Sequence, residues 1–254
     1  EVETVRRSLE SLVGLVIRPR VHRADVVRGR LREGRLLDLH RLGKQLAIVT
    51  EAQAFCVQLG MSGQMLVGPV SEAEDHVHVR WQVEDGRTLR FRDPRRFGGI
   101  SVHATMEDLR RARWSSLGPD ALGVRAPVLE ARLRGRRALK AALLDQQVLA
   151  GVGNIYADEA LFRARLDPHR EASALEPEEV RRLASSIRAV LRASIGAGGS
   201  TLRDHRSADG RPGAYQSRHR VYGRGGHPCP SCGRALEVVR IAQRTTTFCP
   251  ACQR

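Results

Sequence analysis

Cys229-Pro230-Ser231-Cys232 and Cys249-Pro250-Ala251-Cys252 lie near the end of the sequence with sixteen residues between them. A C-x2-C-x16-C-x2-C spacing puts two knuckles on two turns. Together they can set four thiolates tetrahedrally around one Zn²⁺ and leave no coordination position open for chemistry. One structural zinc is therefore expected, shaping the C-terminus rather than performing a reaction. Between the knuckles, Arg240-Ile241-Ala242-Gln243-Arg244-Thr245-Thr246-Thr247-Phe248 has a strand-turn-strand pattern with a basic turn, which suits an anionic ligand. Two disulfides are the other use of four cysteines. With one further cysteine, Cys56 in an apolar run, and no signal peptide, the chain reads as intracellular and reducing, which favours zinc.

Working outward, 43 Lys+Arg against 28 Asp+Glu leave +15 on 254 residues, with a sequence pI of about 11.1. That balance calls for a polyanionic partner, of which nucleic acid is the commonest. The excess is nearly all arginine, which suits bidentate phosphate contacts and is also what GC-rich codon usage supplies. No apolar run approaches the ~18 residues of a membrane span. The length fits two domains plus a small zinc module, and a 41% hydrophobic content can fill real cores.

At the opening, Val2, Val5, Leu9 and Leu12 share one helical face. From residue 14 to 104 the texture is β-prone, with runs at 46–50, 54–59, 76–83 and 88–91. The Glu84-Asp85-Gly86-Arg87 turn between the last two predicts an antiparallel hairpin in a β-sandwich. From 127 to 204 the pattern is helical, with helices expected at 127–133, 138–145, 155–164 and 177–195. A loop rich in Ser, Asp, Gly and Pro, Ser207 to Gln216, leads to the cysteines.

Four short motifs stand out. Asp93-Pro94-Arg95-Arg96-Phe97-Gly98-Gly99 sets two guanidiniums and an aromatic on a proline-stiffened loop, able to bind phosphate and to insert between bases. It reads equally as a surface turn with a core phenylalanine. In Leu59-Gly60-Met61-Ser62-Gly63, Met61 is either a wedge or a core filler. Lys44 precedes an apolar strand, either as a solvated cap or reaching a phosphate. Gly151-Val152-Gly153-Asn154-Ile155-Tyr156 opens a helix with N–H groups and a neutral amide that suit one phosphate, or it is a helix-helix turn capped by Asn154.

The cysteine ribbon and these motifs, in one order along the whole chain, closely resemble the bacterial formamidopyrimidine-DNA glycosylases. The opening Glu1-Val2-Glu3-Thr4-Val5-Arg6-Arg7 favours this branch over its endonuclease VIII-like relatives. The resemblance implies a multidomain α+β protein. Residues 1–125 would form an N-terminal helix plus β-sandwich catalytic domain. Residues 126–222 would form a helix-two-turn-helix DNA-binding domain with a lesion loop, and 223–254 a zinc-ribbon finger. It also implies excision of oxidised purines (8-oxoguanine, formamidopyrimidines) from duplex DNA. The steps are base flipping, Schiff-base formation and β,δ-elimination, performed by a monomer in the bacterial cytoplasm, at the nucleoid.

Carried over residue by residue, Met61, Arg95 and Phe97 match the trio that fills the gap left by an everted nucleotide, with Arg96 beside them on the DNA. Lys44 matches the lysine that contacts the lesion's phosphate and assists elimination. Asn154 and Arg244 match phosphate-gripping residues, Arg244 with a part in the second elimination, and Tyr222 matches a contact near the lesion phosphate. Residues 207–216 match the loop that closes over the base.

Family members place Pro-Glu-Leu-Pro before this opening segment, supplying the amine nucleophile and the acid for sugar ring opening. An α-amine, with a pKa of about 7.7–8.0 against ~10.4 for lysine, keeps a sizeable neutral fraction able to attack near physiological pH. Glu1 is not that acid, and the expectation is that the sequence begins downstream of the natural start. A non-catalytic protein that binds damaged DNA, and a glycosylase for oxidised pyrimidines, are the alternatives. Gln58 and Glu74 stand where the family commonly carries DNA-contacting histidines.

Overall fold

The computed structural model describes residues 1–69, 75–201 and 206–254; Glu74 lies outside them. The helices are α1 (Val2–Ser8), α2 (Met106–Leu109), α3 (Ala126–Glu130), α4 (Leu139–Leu144), α5 (Asn154–Ala164) and α6 (Pro177–Gly196). The strands are β1 (Val16–Val21), β2 (Val27–Arg28), β3 (Gly34–Leu42), β4 (Gln45–Thr50), β5 (Ala54–Gln58), β6 (Gln64–Gly68), β7 (Val77–Val83), β8 (Thr88–Arg92), β9 (Gly99–His103), β10 (Glu237–Ile241) and β11 (Arg244–Phe248).

Among the described residues nine strands run in the order β2-β9-β5-β4-β3-β1-β7-β8-β6, antiparallel except for β2 beside β9. The β1–β3 link holds only two residue pairs, Val16 with Arg35 and Ile17 with Gly34. There the sheet turns over into two layers. Phe55 of β5 stacks on Trp81 of β7 across the interior, ring centroids 5.6 Å apart and 8° from parallel. The expected sandwich is thus present, and the expected hairpin pairs Trp81 with Leu89 around Gly86. The opening helix is shorter than its apolar stripe suggests. It gives way at Leu9 to a 3₁₀ turn over Glu10–Leu12, and Val5, Leu9 and Leu12 are all fully buried in the sandwich core.

Compact packing divides the chain into two units. Residues 1–115 and 195–216 form the first, residues 116–194 and 217–254 the second. In the first, the segment before the ribbon contributes Ala208 to the sandwich core, and the Val67 N–H donates to the Ala208 carbonyl at 2.6 Å. In the second, α6 begins with Pro177, carries Glu178 and Glu179 in its first turn, and buries Val180, Leu183, Ala184, Ile187 and Val190 on one stripe. Each large apolar side chain so buried contributes about 1.5–3 kcal/mol. None of the described helices is long and apolar enough to cross a membrane.

Candidate nucleic-acid interface

In the first unit the two glycine-rich loops are one construction. Asp93 is completely buried, and its carboxylate accepts from the Ser62 hydroxyl and from the Gly98 N–H at 2.7 Å. The Ser62 hydroxyl in turn accepts from the Arg95 N–H at 3.3 Å, and the His78 Nε2 bonds the Asp93 carbonyl at 2.8 Å. Both loops are therefore pinned from beneath. Their backbones approach so closely that a Cβ on Gly60, whose φ is +64°, would lie 2.7 Å from the Phe97 carbonyl carbon. Arg96 sits at φ +55°, a left-handed conformation that costs a non-glycine residue roughly 1–2 kcal/mol, here held by Asp93.

What this frame presents is apolar. Met61 is 63% exposed and Phe97 59%, so neither is a core residue and both side chains face outward. The Arg95 guanidinium carbon lies 5.6 Å from the centre of the Phe97 ring, within cation–π range. Asp93 and Ser62, which set this geometry, were missed in the sequence because nothing local distinguishes a buried aspartate from a turn aspartate.

Lys44 is exposed in the two-residue turn Gly43-Lys44 joining β3 to β4, with Leu42 and Gln45 paired across it. The base of the turn is tied to α1. Arg41 donates to the Gly43 carbonyl at 2.8 Å and to Glu3 at 3.0 Å. Burial pushes the Glu3 carboxyl up, but hydrogen bonds from Arg6, Arg7 and Arg41 outweigh it and hold the pKa at about 2.

The second unit gathers its residues around α5. Gly151, at φ +113°, turns the chain into the helix, and Asn154 opens it. The Asn154 side-chain NH₂ donates to the Thr245 carbonyl at 3.0 Å, which sets Asn154 beside the ribbon hairpin that carries Arg244; one amide hydrogen is left for another acceptor. Ala242 and Gln243 form the tight hairpin turn with φ of +49° and +60°, so exposed Arg244 projects from a strained tip.

Two adjacent acids of α5 hold this region together. The Glu159 carboxylate accepts from the N–H groups of Arg220, Val221 and Tyr222 at 2.9–3.0 Å, which fixes the backbone at Tyr222. Asp158 accepts from the Thr247 N–H at 3.1 Å and pairs at 2.6 Å with Lys140, one of only two lysines in the chain. Lys140 also donates to the Thr245 carbonyl at 3.0 Å and the Thr246 hydroxyl at 2.8 Å. Burial pushes Asp158 up to about 6 against the pull of Lys140, and pushes Lys140 down against the pull of Asp158. Neither acid nor Lys140 was singled out from the sequence. A charged residue that is fully buried looks like a surface residue until its partner is seen.

The four ribbon sulfurs all lie within 4.8 Å of one another, with Cys229–Cys252 at 4.0 Å and Cys232–Cys249 at 3.5 Å. A tetrahedron of about 2.3 Å Zn–S bonds has edges near 3.8 Å, whereas a disulfide needs about 2.05 Å. The residues fit zinc, and all four are free thiols. Contact with the Cys232 thiol is the main force raising Cys252 to about 12. Burial raises Cys229, but N–H groups of Ser231 and Cys232 bring it down to about 7. Neighbours that resist a second negative charge are what a divalent cation relieves. The ribbon packs on Phe162 of α5 through Cys229, Leu236 and Cys249.

Three family models match the chain. They are the formamidopyrimidine-DNA glycosylase N-terminal domain over residues 1–100, the formamidopyrimidine-DNA glycosylase H2TH domain over 117–206, and the zinc finger found in FPG and IleRS over 226–254. The formamidopyrimidine-DNA glycosylase of Thermus thermophilus is 46% identical over 265 residues, covering all of this chain and 97% of the relative. The crystal structure of the MutM (Fpg) protein from that organism superposes with a TM-score of 0.88 at 43% identity, covering 100% and 97% of the two chains. A Lactococcus lactis Fpg mutant bound to Fapy-dG-containing DNA gives 0.90 at 30% identity, covering 100% and 98%. MutM in complex with carbocyclic 8-oxo-G-containing DNA gives 0.89 at 30%, with the same coverage.

Proposed function

The chain belongs to the formamidopyrimidine-DNA glycosylase family, and on that premise we propose that it excises oxidised purines from duplex DNA and cuts the strand at the resulting abasic site. The carrying observation is the pair of exposed apolar side chains, Met61 and Phe97, on two loops locked together through Asp93 with Arg95 over the Phe97 ring. A glycosylase must take its base out of the stack at a cost of a few kcal/mol. Rigid wedges that fill the vacated space offset that cost because they need no reordering.

In this reading Met61 and Phe97 prop the kinked step and Arg95 pairs with the orphaned cytosine, while Arg96 contributes a cation to the same strand region. Lys44 meets the phosphate of the lesion and assists elimination. Asn154, Tyr222 and Arg244 hold the flanking phosphates, and residues 207–216 close over the everted base. The structural zinc organises the hairpin behind Arg244 and takes no chemical step, because four thiolates fill its coordination. An amine attacks C1′ and the base departs with its bonding electrons, taking up a proton. The Schiff base so formed then permits β- and δ-elimination. A three-part organisation, 1–125, 126–222 and 223–254, and action as a monomer at the bacterial nucleoid complete the proposal.

The test is borohydride trapping on an 8-oxoguanine:cytosine duplex, with the family's Pro-Glu-Leu-Pro placed ahead of Glu1. A covalent complex and released 8-oxoguanine are expected. Specific, salt-sensitive binding with neither product would replace this reading by damage binding without catalysis. Faster release of oxidised pyrimidines than of 8-oxoguanine would overturn the purine assignment.

A further inference from the structure

Beside the Phe97 loop, and within the first unit alone, lies a polar pocket walled by Arg28, Gln58, Arg95, Arg96 and Arg113, whose one carboxylate among the described residues is Asp25. Asp25 is already engaged by Arg23 at 2.9 Å and by Arg96 at 3.9 Å. Arg28, Arg96 and Arg113 set against that shared carboxylate leave the described lining cationic. Its cysteine, Cys56, adds no charge, because burial raises the thiol to about 11.

Arg113 reaches the pocket by an unusual path. Thr105 caps α2, its hydroxyl accepting from the Asp108 N–H at 3.1 Å, and the helix then widens into a π-turn over Arg110–Trp114. Such turns are rare and occur mostly where a side chain must be re-aimed. Here two consecutive side chains meet a cross-strand pair. Trp114 donates to Gln45 at 3.1 Å, Arg113 donates to Gln58 at 3.0 Å, and Gln45 and Gln58 lie opposite each other on β4 and β5. With its oxygen engaged by Arg113, Gln58 keeps its NH₂ as donor. The site therefore offers forked guanidinium and amide donors, the set that recognises phosphate oxygens.

We propose that this pocket binds a backbone phosphate of the DNA strand opposite the lesion, with Arg113 as its fixed inner cation. The assignment rests on the proposed function. The strand follows from the shared wall: Arg95 and Phe97 line the pocket, so a group seated there lies beside the base that Arg95 meets. Arg113 then contributes affinity without sequence information.

The experiment measures binding of 8-oxoguanine:cytosine duplexes against salt for the wild type, Arg113→Gln and Arg113→Lys. Arg113→Gln should lower the slope of log K against log salt by about one. That is a roughly threefold smaller affinity loss between about 50 and 200 mM salt, with cytosine-over-adenine preference intact. Arg113→Lys should restore most of the slope. An unchanged slope in Arg113→Gln overturns the proposal. Because that variant could disturb folding, a second arm uses the wild-type protein with single neutral methylphosphonates scanned along each strand. One position opposite the lesion should weaken the wild type and leave Arg113→Gln indifferent. No coupled position, or one on the lesion strand alone, overturns the assignment. Failure of the wild type to prefer lesion duplex would instead refute the proposed function.

Discussion

Replacing Lys140 by methionine tests how the second unit holds its ribbon hairpin. The Lys140 ammonium and the Asp158 carboxylate are 0% and 1% exposed and 2.6 Å apart, and Lys140 also satisfies Thr245 and Thr246. Methionine matches the stem of lysine in length but leaves Asp158 with the Thr247 N–H at 3.1 Å. Breaking a buried pair from one side costs about 3–5 kcal/mol, since the remaining charge is desolvated without compensation. For a protein of this size that is a drop of roughly 6–20 °C in Tm. Adding Asp158→Asn removes the stranded charge and keeps an acceptor for Thr247, so the double variant should recover about half the loss. The assay is thermal unfolding in excess zinc, so that metal release does not confound the melt. A single variant melting within about 2 °C of the wild type, or a double variant no better than the sum of the two singles, refutes the reasoning.

Other consequences are open to direct measurement. Cys249→Ser should lose zinc and lesion-duplex binding together, and retention of one metal per chain would refute a four-thiolate site. Arg95→Ala should reduce the preference for cytosine over adenine opposite the lesion by on the order of tenfold, more than it reduces total affinity; an unaltered preference removes Arg95 from that role. The folded-state pKa of Glu3 is depressed from 4.5 to about 2, so its stabilisation is complete above 4.5 and lost as pH falls towards 2. Urea unfolding of wild type and Glu3→Gln should accordingly show a stability gap near pH 6 that closes towards about pH 2.5, and a gap independent of pH would contradict the arginine clasp.

The elements legible in the sequence were those with a local cause. Gly86 marks the β7–β8 hairpin because a tight turn needs its positive φ of +88°. The 3.6-residue period of Val180, Leu183, Ile187 and Val190 marks α6 because one stripe must face a core. Strand β1 was not read, because Val16-Ile17-Arg18-Pro19-Arg20-Val21 carries two arginines and a proline, and only its neighbours β3 and β7 make it a strand. The π-turn at Arg110–Trp114 left no signal either, for its stability lies in the contacts with Gln45 and Gln58.

The sequence alone determined the metal ligands, the motif loops and the order of the parts, since each is written in contiguous residues whose spacing or turn chemistry acts over a few ångströms. Only the tertiary structure decided that Met61 and Phe97 are exposed rather than core, and which charges are buried. It placed Asp93 beneath Ser62 across 31 positions, Arg113 against Gln58 across 55, and Lys140 on Thr245 across 105. Partners that far apart share no periodicity. A buried charge is tolerated only where the fold supplies its counter-charge or hydrogen bonds, so such positions become visible once the chain has closed upon itself.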